Sequence, residues 1–245
     1  GGSNVLIDAG KTFKQAACRF FPRHRVQKLD AVVLTHEHAD AILGLDDIRE
    51  VRPWTKSWRE AAAAAPVPVF LSPASMEHIK GVFPYLIPKP PQEGEVRRLV
   101  SQLTFSVIEP LQSFRAGEMP MRALPTEHGT DCVCYGYEFG EEERVIYLSD
   151  FSRIWDETME IVKERHVDLL VLDSLRIDDD AVTHIGMESA LKIAREVKAT
   201  MTLLVGMAHS FGDHDAVNRG LRERSDLDGL DVQLAYDGLC LRMRL

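Results

Sequence analysis

A short apolar run that ends in metal-binding side chains constrains this chain more than any other feature. Residues 29–34 are rich in Val and Leu and predict a buried strand. His36, His38 and Asp40 follow at once, in a segment that predicts a loop at the strand's carboxyl end. An extended loop lets both imidazoles turn toward one point, with the carboxylate reaching a second point beside it. The pattern therefore predicts a zinc or manganese site, against the alternative of a polar loop whose histidines face water.

The string of residues 36–47 resembles the signature of the metallo-β-lactamase superfamily of binuclear metal hydrolases. It is most similar to the branch of PhnP-like cyclic-phosphate phosphodiesterases, whose signature reads His-x-His-x-Asp-His. Ala41 stands where the last histidine belongs, and a methyl group cannot bind a metal. The resemblance thus implies one firmly bound Zn or Mn ion and a second, weaker one. It also implies an α/β (α+β) fold, an αββα sandwich of two mixed β-sheets flanked by helices.

Four later residues match functional positions of the family, three of them directly after predicted strands. His128 matches the third histidine of the first metal, Asp150 the aspartate that bridges both metals, and His209 the last ligand of the second. His184 precedes a predicted helix and matches the histidine that lies by the substrate phosphate and assists the leaving group. The implied ligands are His36, His38, His128 and Asp150 for the first ion and Asp40, Asp150 and His209 for the second, with Asp40 and His184 as catalytic residues.

Several of these residues have a second interpretation from the sequence. Asp8, after the first strand, either orients a ligand or forms a turn before Gly10. Asp237 matches an Asp-Gly pair near the end of this branch and either supports the ligands or forms a hairpin turn. Asp150 is also placed to cap the next helix, and His184 to begin one. His214 either compensates for Ala41 or lies exposed at a helix start.

Residues 11–28 contain six Lys and Arg residues and no acidic one. The spacing of Phe13, Ala17 and Phe20 predicts an amphipathic helix with a basic face. A solvated face is one interpretation. In a chain this acidic, the alternative is that Lys11 and Lys14 attract the substrate phosphate.

Length and charge limit the class of protein. The 245 residues are enough for one α/β domain over 1–245, and the net charge of −9 argues against extended nucleic acid as a partner. Four scattered cysteines argue against a disulfide framework, and no apolar run is long enough to span a membrane. We therefore expect a cytoplasmic protein, although superfamily members usually carry an earlier strand pair, which leaves open a missing N-terminal segment and a targeting peptide. Residues 54–66 predict an added helix or a surface excursion.

Together these features predict a metal-dependent phosphodiesterase that acts on a small, cyclic or nucleotide phosphate ester through a metal-activated hydroxide. Two alternatives remain: a mononuclear thioester or sulfur-type hydrolase of the same fold, and a non-catalytic, metal-stabilised nucleotide-binding protein. The expected partner is a small phosphorylated molecule, and a homodimer is compatible with the sequence.

Overall fold

The structure, a computed structural model, describes residues 2–51, 65–88 and 100–245. The chain divides into two units, one of Gly1–Glu109 and Phe114–Met119 and one of Pro110–Ser113 and Pro120–Leu245. The expectation of a single domain over 1–245 stays a prediction. Most of the helix or excursion predicted at 54–66 lies outside the described residues. Within the described ranges, no helix has both the length and the apolar character needed to cross a membrane.

Four parallel strands form the sheet of the first unit, in the order β1-β2-β3-β4. Val32 of β2 lies opposite Leu6 of β1 and Val69 of β3. Every residue of β2 is buried, because a central parallel strand is covered on both faces, which confirms the strand predicted from the apolar run. The strands are β1 (Val5–Ile7), β2 (Ala31–Val33), β3 (Val67–Leu71) and β4 (Leu103–Val107).

Short helices complete the core of the first unit. Helix α1 buries Phe13 and Ala17 and leaves its basic side chains exposed, which confirms the amphipathic helix predicted there. Ser72 caps α3 by accepting a hydrogen bond from the Ser75 backbone N–H. The elements are α1 (Phe13–His24), α2 (Ala39–Ile42), a 3-10 helix (Leu45–Glu50) and α3 (Pro73–Val82).

The sheet of the second unit mixes both strand directions. Strands β12, β11, β10 and β8 are parallel neighbours in that order, and β7, β6 and β9 continue the sheet with antiparallel pairings. The carboxyl ends of the four parallel strands therefore share one edge. The bounds are β6 (Met119–His128), β7 (Cys132–Phe139), β8 (Val145–Leu148), β9 (Arg153–Ile154), β10 (Leu169–Asp173), β11 (Met201–Val205) and β12 (Asp231–Leu234), and β5 (Ser113–Ala116) falls mostly in the first unit.

Helices of the second unit pack against β8, β10 and β11 through residues such as Leu191, Leu170 and Leu204. They are α4 (Asp156–Lys163), α5 (Met187–Val197), a 3-10 helix (His209–Phe211), α6 (His214–Glu223) and a 3-10 helix (Ser225–Leu227). Two sheets with flanking helices confirm the predicted fold class, and among the described strands the mixed pairings lie in the second sheet.

A fully buried arginine ties the start of β8 to the end of α4. The Arg144 guanidinium donates to the carbonyls of Ile161, Val162 and Arg165 at 2.7–2.8 Å and to Glu138 Oε1 at 2.7 Å. Its side chain has no solvent exposure, so these acceptors replace water. The last carbonyls of a helix lack partners within the helix, and Arg144 supplies donors for them.

We predict that Arg144→Met lowers the free energy of unfolding by about 3 kcal/mol or more, because it leaves buried carbonyls without a donor and a carboxylate without its main partner. The control is Arg165→Met: Arg165 lies 3.8 Å from the same carboxylate but is half exposed, so we expect a loss of about 1 kcal/mol or less. Urea denaturation measures both values, and equal losses would contradict the role assigned to Arg144.

Candidate metal centre

The loop after β2 places two imidazoles side by side. The ring centroids of His36 and His38 are 4.6 Å apart, with the rings nearly perpendicular. The His36 ring is buried, whereas His38 is exposed. The Asp40 carboxylate lies 4.0 Å from His36 Nε2 and is largely exposed. The structure therefore brings together the three donors that the sequence predicts in this loop.

A hydrogen-bond chain determines which nitrogen of His36 carries a proton. Thr35 donates to both oxygens of Asp8, from its backbone N–H and from its hydroxyl, each at 2.8 Å. The same hydroxyl oxygen lies 2.9 Å from His36 Nδ1. Because the single hydroxyl proton goes to the carboxylate, the oxygen must accept from Nδ1–H. Nε2 of His36 then carries the lone pair, which is the form that binds a metal.

A second chain of hydrogen bonds anchors the loop at Glu37. Its carboxylate accepts a hydrogen bond from the Ser75 hydroxyl at 3.1 Å. Ser75 in turn accepts from the Ser72 hydroxyl at 3.0 Å, and Ser72 accepts from the Ser75 backbone N–H. Each hydroxyl both donates and accepts, so the chain runs from the N-terminus of α3 to the carboxylate. Glu37 thereby fixes the backbone between the two histidines.

The turn before α1 lies directly against the same loop. The Ala41 carbonyl accepts a hydrogen bond from the Ala9 N–H at 2.8 Å, and the Ala41 methyl group is buried in the apolar core of the first unit. A Cβ on Gly10 would lie 1.7 Å from the Asp40 carbonyl oxygen, so only glycine fits there. Lys11 and Lys14 are exposed at the start of α1, and Lys14 lies 3.7 Å from Asp47.

In the second unit, His128 closes β6 and has the same protonation pattern as His36. Its Nδ1 lies 2.7 Å from the carbonyl oxygen of Thr183. A carbonyl oxygen only accepts, so Nδ1 holds the proton and Nε2 the lone pair. The ring packs edge to face against His184, with centroids 4.9 Å apart.

His184 binds a buried carboxylate that the sequence analysis missed. Its Nδ1 lies 2.8 Å from Asp173 Oδ2 and 3.8 Å from Asp150 Oδ1. Burial raises the pKa of the Asp173 carboxyl, against the lowering effect of the His184 hydrogen bond. A signal was present in the sequence, since Asp173 ends a buried strand as Asp150 does. Gly206 makes room for this carboxylate, because a Cβ there would lie 2.6 Å from Asp173 Oδ1.

The structure decides between the alternatives for Asp150 and argues against one of those for His214. Helix α4 begins with Trp155 as its N-cap, so Asp150 does not cap it. His214 begins α6, where Nε2 lies 3.1 Å from the Ala235 carbonyl and Nδ1 lies 3.4 Å from the Asn218 amide nitrogen. Both ring nitrogens thus have structural contacts, which argues against the compensating role. His209 is exposed at the first position of its 3-10 helix.

Asp237 lies in a turn. The Leu239 N–H donates to the Tyr236 carbonyl at 3.0 Å, and Gly238 has φ of 88°, a left-handed conformation that favours glycine. Asp237 thus lies in a turn, as one of the two alternatives predicted, but no strand follows it in residues 239–245, so the turn does not close a hairpin.

The donors present suit a divalent transition metal. His36 and His128 each present Nε2 as a base, with a hydroxyl or carbonyl oxygen behind Nδ1. Imidazole held in this way, together with carboxylates such as Asp40 and Asp150, is the donor chemistry of zinc and manganese sites. The residues therefore fit the metal that the sequence predicts.

Comparisons with known proteins agree with the fold and the donors. Residues 3–207 match the family model described as a beta-lactamase superfamily domain. The chain is 32% identical to a solved structure described as a new diphosphatase from the PhnP family, with a TM-score of 0.76, over 98% of this chain and 80% of that one. It resembles the metallo-β-lactamase fold protein YhfI from Bacillus subtilis at 22% identity and a TM-score of 0.69, over 96% and 85% of the two chains.

A curated relative is larger than this chain. The octanoyltransferase of Porphyromonas gingivalis is 26% identical over 238 residues, which are 97% of this chain but 42% of that protein. The chain thus spans less than half the length of that relative. The fold, the family model and the PhnP-family structure of 32% sequence identity agree. The chain therefore belongs to the metallo-β-lactamase superfamily of metal-dependent hydrolases and, within it, to the PhnP family.

Proposed function

We propose that this protein is a metal-dependent phosphodiesterase that hydrolyses a small phosphate ester, either cyclic or a nucleotide. The observation that carries the proposal is the His184–Asp173 pair, at 2.8 Å, beside the strand-end Asp150. A histidine held by a carboxylate is a proton donor for an alkoxide leaving group. The 32% identity to a PhnP-family diphosphatase supports phosphorus chemistry over the other reactions that this fold hosts.

We assign the metal ligands from the positions of this chain that match those of the family. One ion would be held by His36, His38, His128 and Asp150, and a second, weaker one by Asp40, Asp150 and His209. Zn or Mn, when bound, supplies hydroxide from water at neutral pH and neutralises the charge on the phosphate oxygens. The protonation of His36 and His128 supports this assignment, because each presents Nε2 as a base.

The remaining side chains orient groups and move protons. Asp173 holds Nδ1–H of His184, so Nε2 is the atom that gives a proton to the leaving oxygen. The charge of Asp173 stabilises the imidazolium form that this role needs. Asp40, which is largely exposed, is the candidate to accept the proton of the attacking water. Lys11 and Lys14 are exposed near this loop, where they would attract the anionic substrate.

The proposal is tested first by a manganese titration of metal-stripped protein with bis(p-nitrophenyl) phosphate as substrate. We expect turnover to rise and saturate, with a second and weaker phase as the second site fills. Asp150→Ala should abolish turnover in a folded protein, because it removes a ligand of both ions. A flat titration, with thioester hydrolysis in its place, would reject the phosphodiesterase in favour of the one-metal alternative.

We predict that His184→Ala lowers turnover by about 10²–10⁴-fold for a cyclic nucleotide, whose leaving alkoxide needs a proton. For bis(p-nitrophenyl) phosphate the loss should be much smaller, because p-nitrophenolate leaves without protonation. Asp173→Asn should show the same dependence on the leaving group. It should not lower the melting temperature, because burial raises the pKa of the Asp173 carboxyl and so makes its charged form unfavourable in the folded protein. His166→Ala is the control, because His166 is exposed and bonds to Thr200. Equal losses for both substrates would contradict proton donation.

We also predict that Thr35→Val weakens metal binding by about 10–100-fold, because it removes the acceptor that holds the proton on His36 Nδ1. Thr35→Ser retains the hydroxyl and should bind as the wild type does. Competition with a chelator measures the affinity without any assay of activity. Identical affinities of the valine and serine variants would show that the Asp8–Thr35–His36 chain does not determine the metal-binding form.

A further inference from the structure

Tyr236 exposes a large aromatic ring at the edge of the second sheet. It follows β12 after one residue and has 60% of its surface exposed. Its flat apolar faces and its polar hydroxyl make an exposed tyrosine suited to contact with a planar ligand. The proposed phosphodiesterase mechanism does not use this ring.

The strand register places Tyr236 close to the proton donor. Leu204 of β11 lies opposite Leu234 of β12, and the Ala235 N–H extends the ladder to the Leu204 carbonyl at 2.9 Å. Extended by two residues, this register brings Tyr236 level with Gly206, the residue that leaves room for the Asp173 carboxylate. Two strand spacings, about 10 Å, separate the backbone of Tyr236 from that of Asp173, which holds His184. This is the length scale of a nucleoside.

Neighbouring residues hold the segment that carries the ring. The Tyr236 ring meets the His214 ring edge to face, with centroids 6.1 Å apart. His214 donates to the Ala235 carbonyl, and the Asn218 side chain accepts from the Leu234 N–H at 2.8 Å. The turn to Leu239 closes the other side. Because these contacts order the ring in advance, a ligand that stacks on it loses little conformational entropy.

From this placement we propose that Tyr236 is the stacking platform for a nucleobase, which makes the substrate a nucleoside phosphate. The inference rests on the proposed function, since it takes the phosphate to lie by His184. Every nucleobase has a planar face that can stack on an aromatic ring, so stacking does not depend on which base is bound. Alanine substitution of the aromatic residue removes this contact. The edge contact to His214 leaves the ring its exposed surface for this purpose.

Calorimetric titration of the manganese-loaded protein with adenosine 5′-monophosphate and with ribose 5-phosphate tests the inference. The two probes share the phosphate and the sugar and differ in the base. We expect the wild type to bind the nucleotide more tightly, and Tyr236→Ala to remove about tenfold of that preference while binding of ribose 5-phosphate stays unchanged. Tyr236→Phe keeps the ring and should behave as the wild type.

Tyr85→Ala is the matched control, because Tyr85 is also exposed and its ring also meets a neighbour, Phe83, edge to face at 6.1 Å. Its loss should leave both affinities unchanged. Equal affinities of the wild type for both probes, or an equal loss of both in Tyr236→Ala, would overturn the platform while the phosphate site stands. Failure of both probes to bind would overturn the platform together with the phosphate site of the proposed function.

Discussion

The contact behind Nδ1 of each of these histidines determines where the ring carries its proton, and the roles that we propose depend on it. A neutral acceptor, the Thr35 hydroxyl or the Thr183 carbonyl, keeps the proton on Nδ1 and leaves Nε2 as a base suited to a metal. A carboxylate in the same place, Asp173 behind His184, favours the charged imidazolium instead and suits a proton donor. Both kinds of acceptor hold the proton on Nδ1 and direct Nε2 into the site, and the charged one in addition stabilises the imidazolium that we propose for His184.

His214 shows the opposite pattern and a different role. Its Nε2, the atom that His36 and His128 present as a base, lies 3.1 Å from the Ala235 carbonyl and must carry the proton there. Its Nδ1 faces the Asn218 amide at 3.4 Å. A histidine used in this way joins α6 to the end of β12 and has its lone pair directed at the protein. The hydrogen-bond partners therefore separate a structural histidine from the candidate ligands, although the residue type is the same.

The sequence predicted the donors whose position depends on strand ends, and it missed those whose role depends on a distant partner. His36, His128 and Asp150 follow apolar runs, and such runs identify buried strands without reference to the rest of the chain. Asp173 also ends a strand, but its importance comes from His184, eleven residues further on, and from the space at Gly206. Glu37 acts through Ser75, 38 residues away. Such contacts depend on tertiary packing, which local patterns do not encode.

Backbone conformation adds a cost at the same positions. Asp8 and Asp150 have φ of 59° and 45°, in the left-handed region that non-glycine residues seldom adopt. Both follow strands, and Asp150 is itself a proposed metal ligand. Asp8 compensates by accepting two hydrogen bonds from Thr35. Arg25, Leu111 and Lys198 also have positive φ, two of them at helix ends, and aspartate adopts this region more readily than most residues, so the conformation by itself does not mark the site.

The exposure of the side chains gives a reason, independent of Ala41, to expect that the two metal sites we propose differ in affinity. His36 and His128 are buried, each with a determined proton position, so little ordering is needed when an ion binds. Among the ligands proposed for the first ion only His38 is exposed, whereas Asp40 and His209, proposed for the second ion alone, are both exposed and must lose side-chain freedom on binding. The same ligand chemistry therefore costs more conformational entropy in the second set. Because Ala41 packs its methyl group into the core, the first unit is stabilised by apolar packing at the position where the family signature places a histidine ligand.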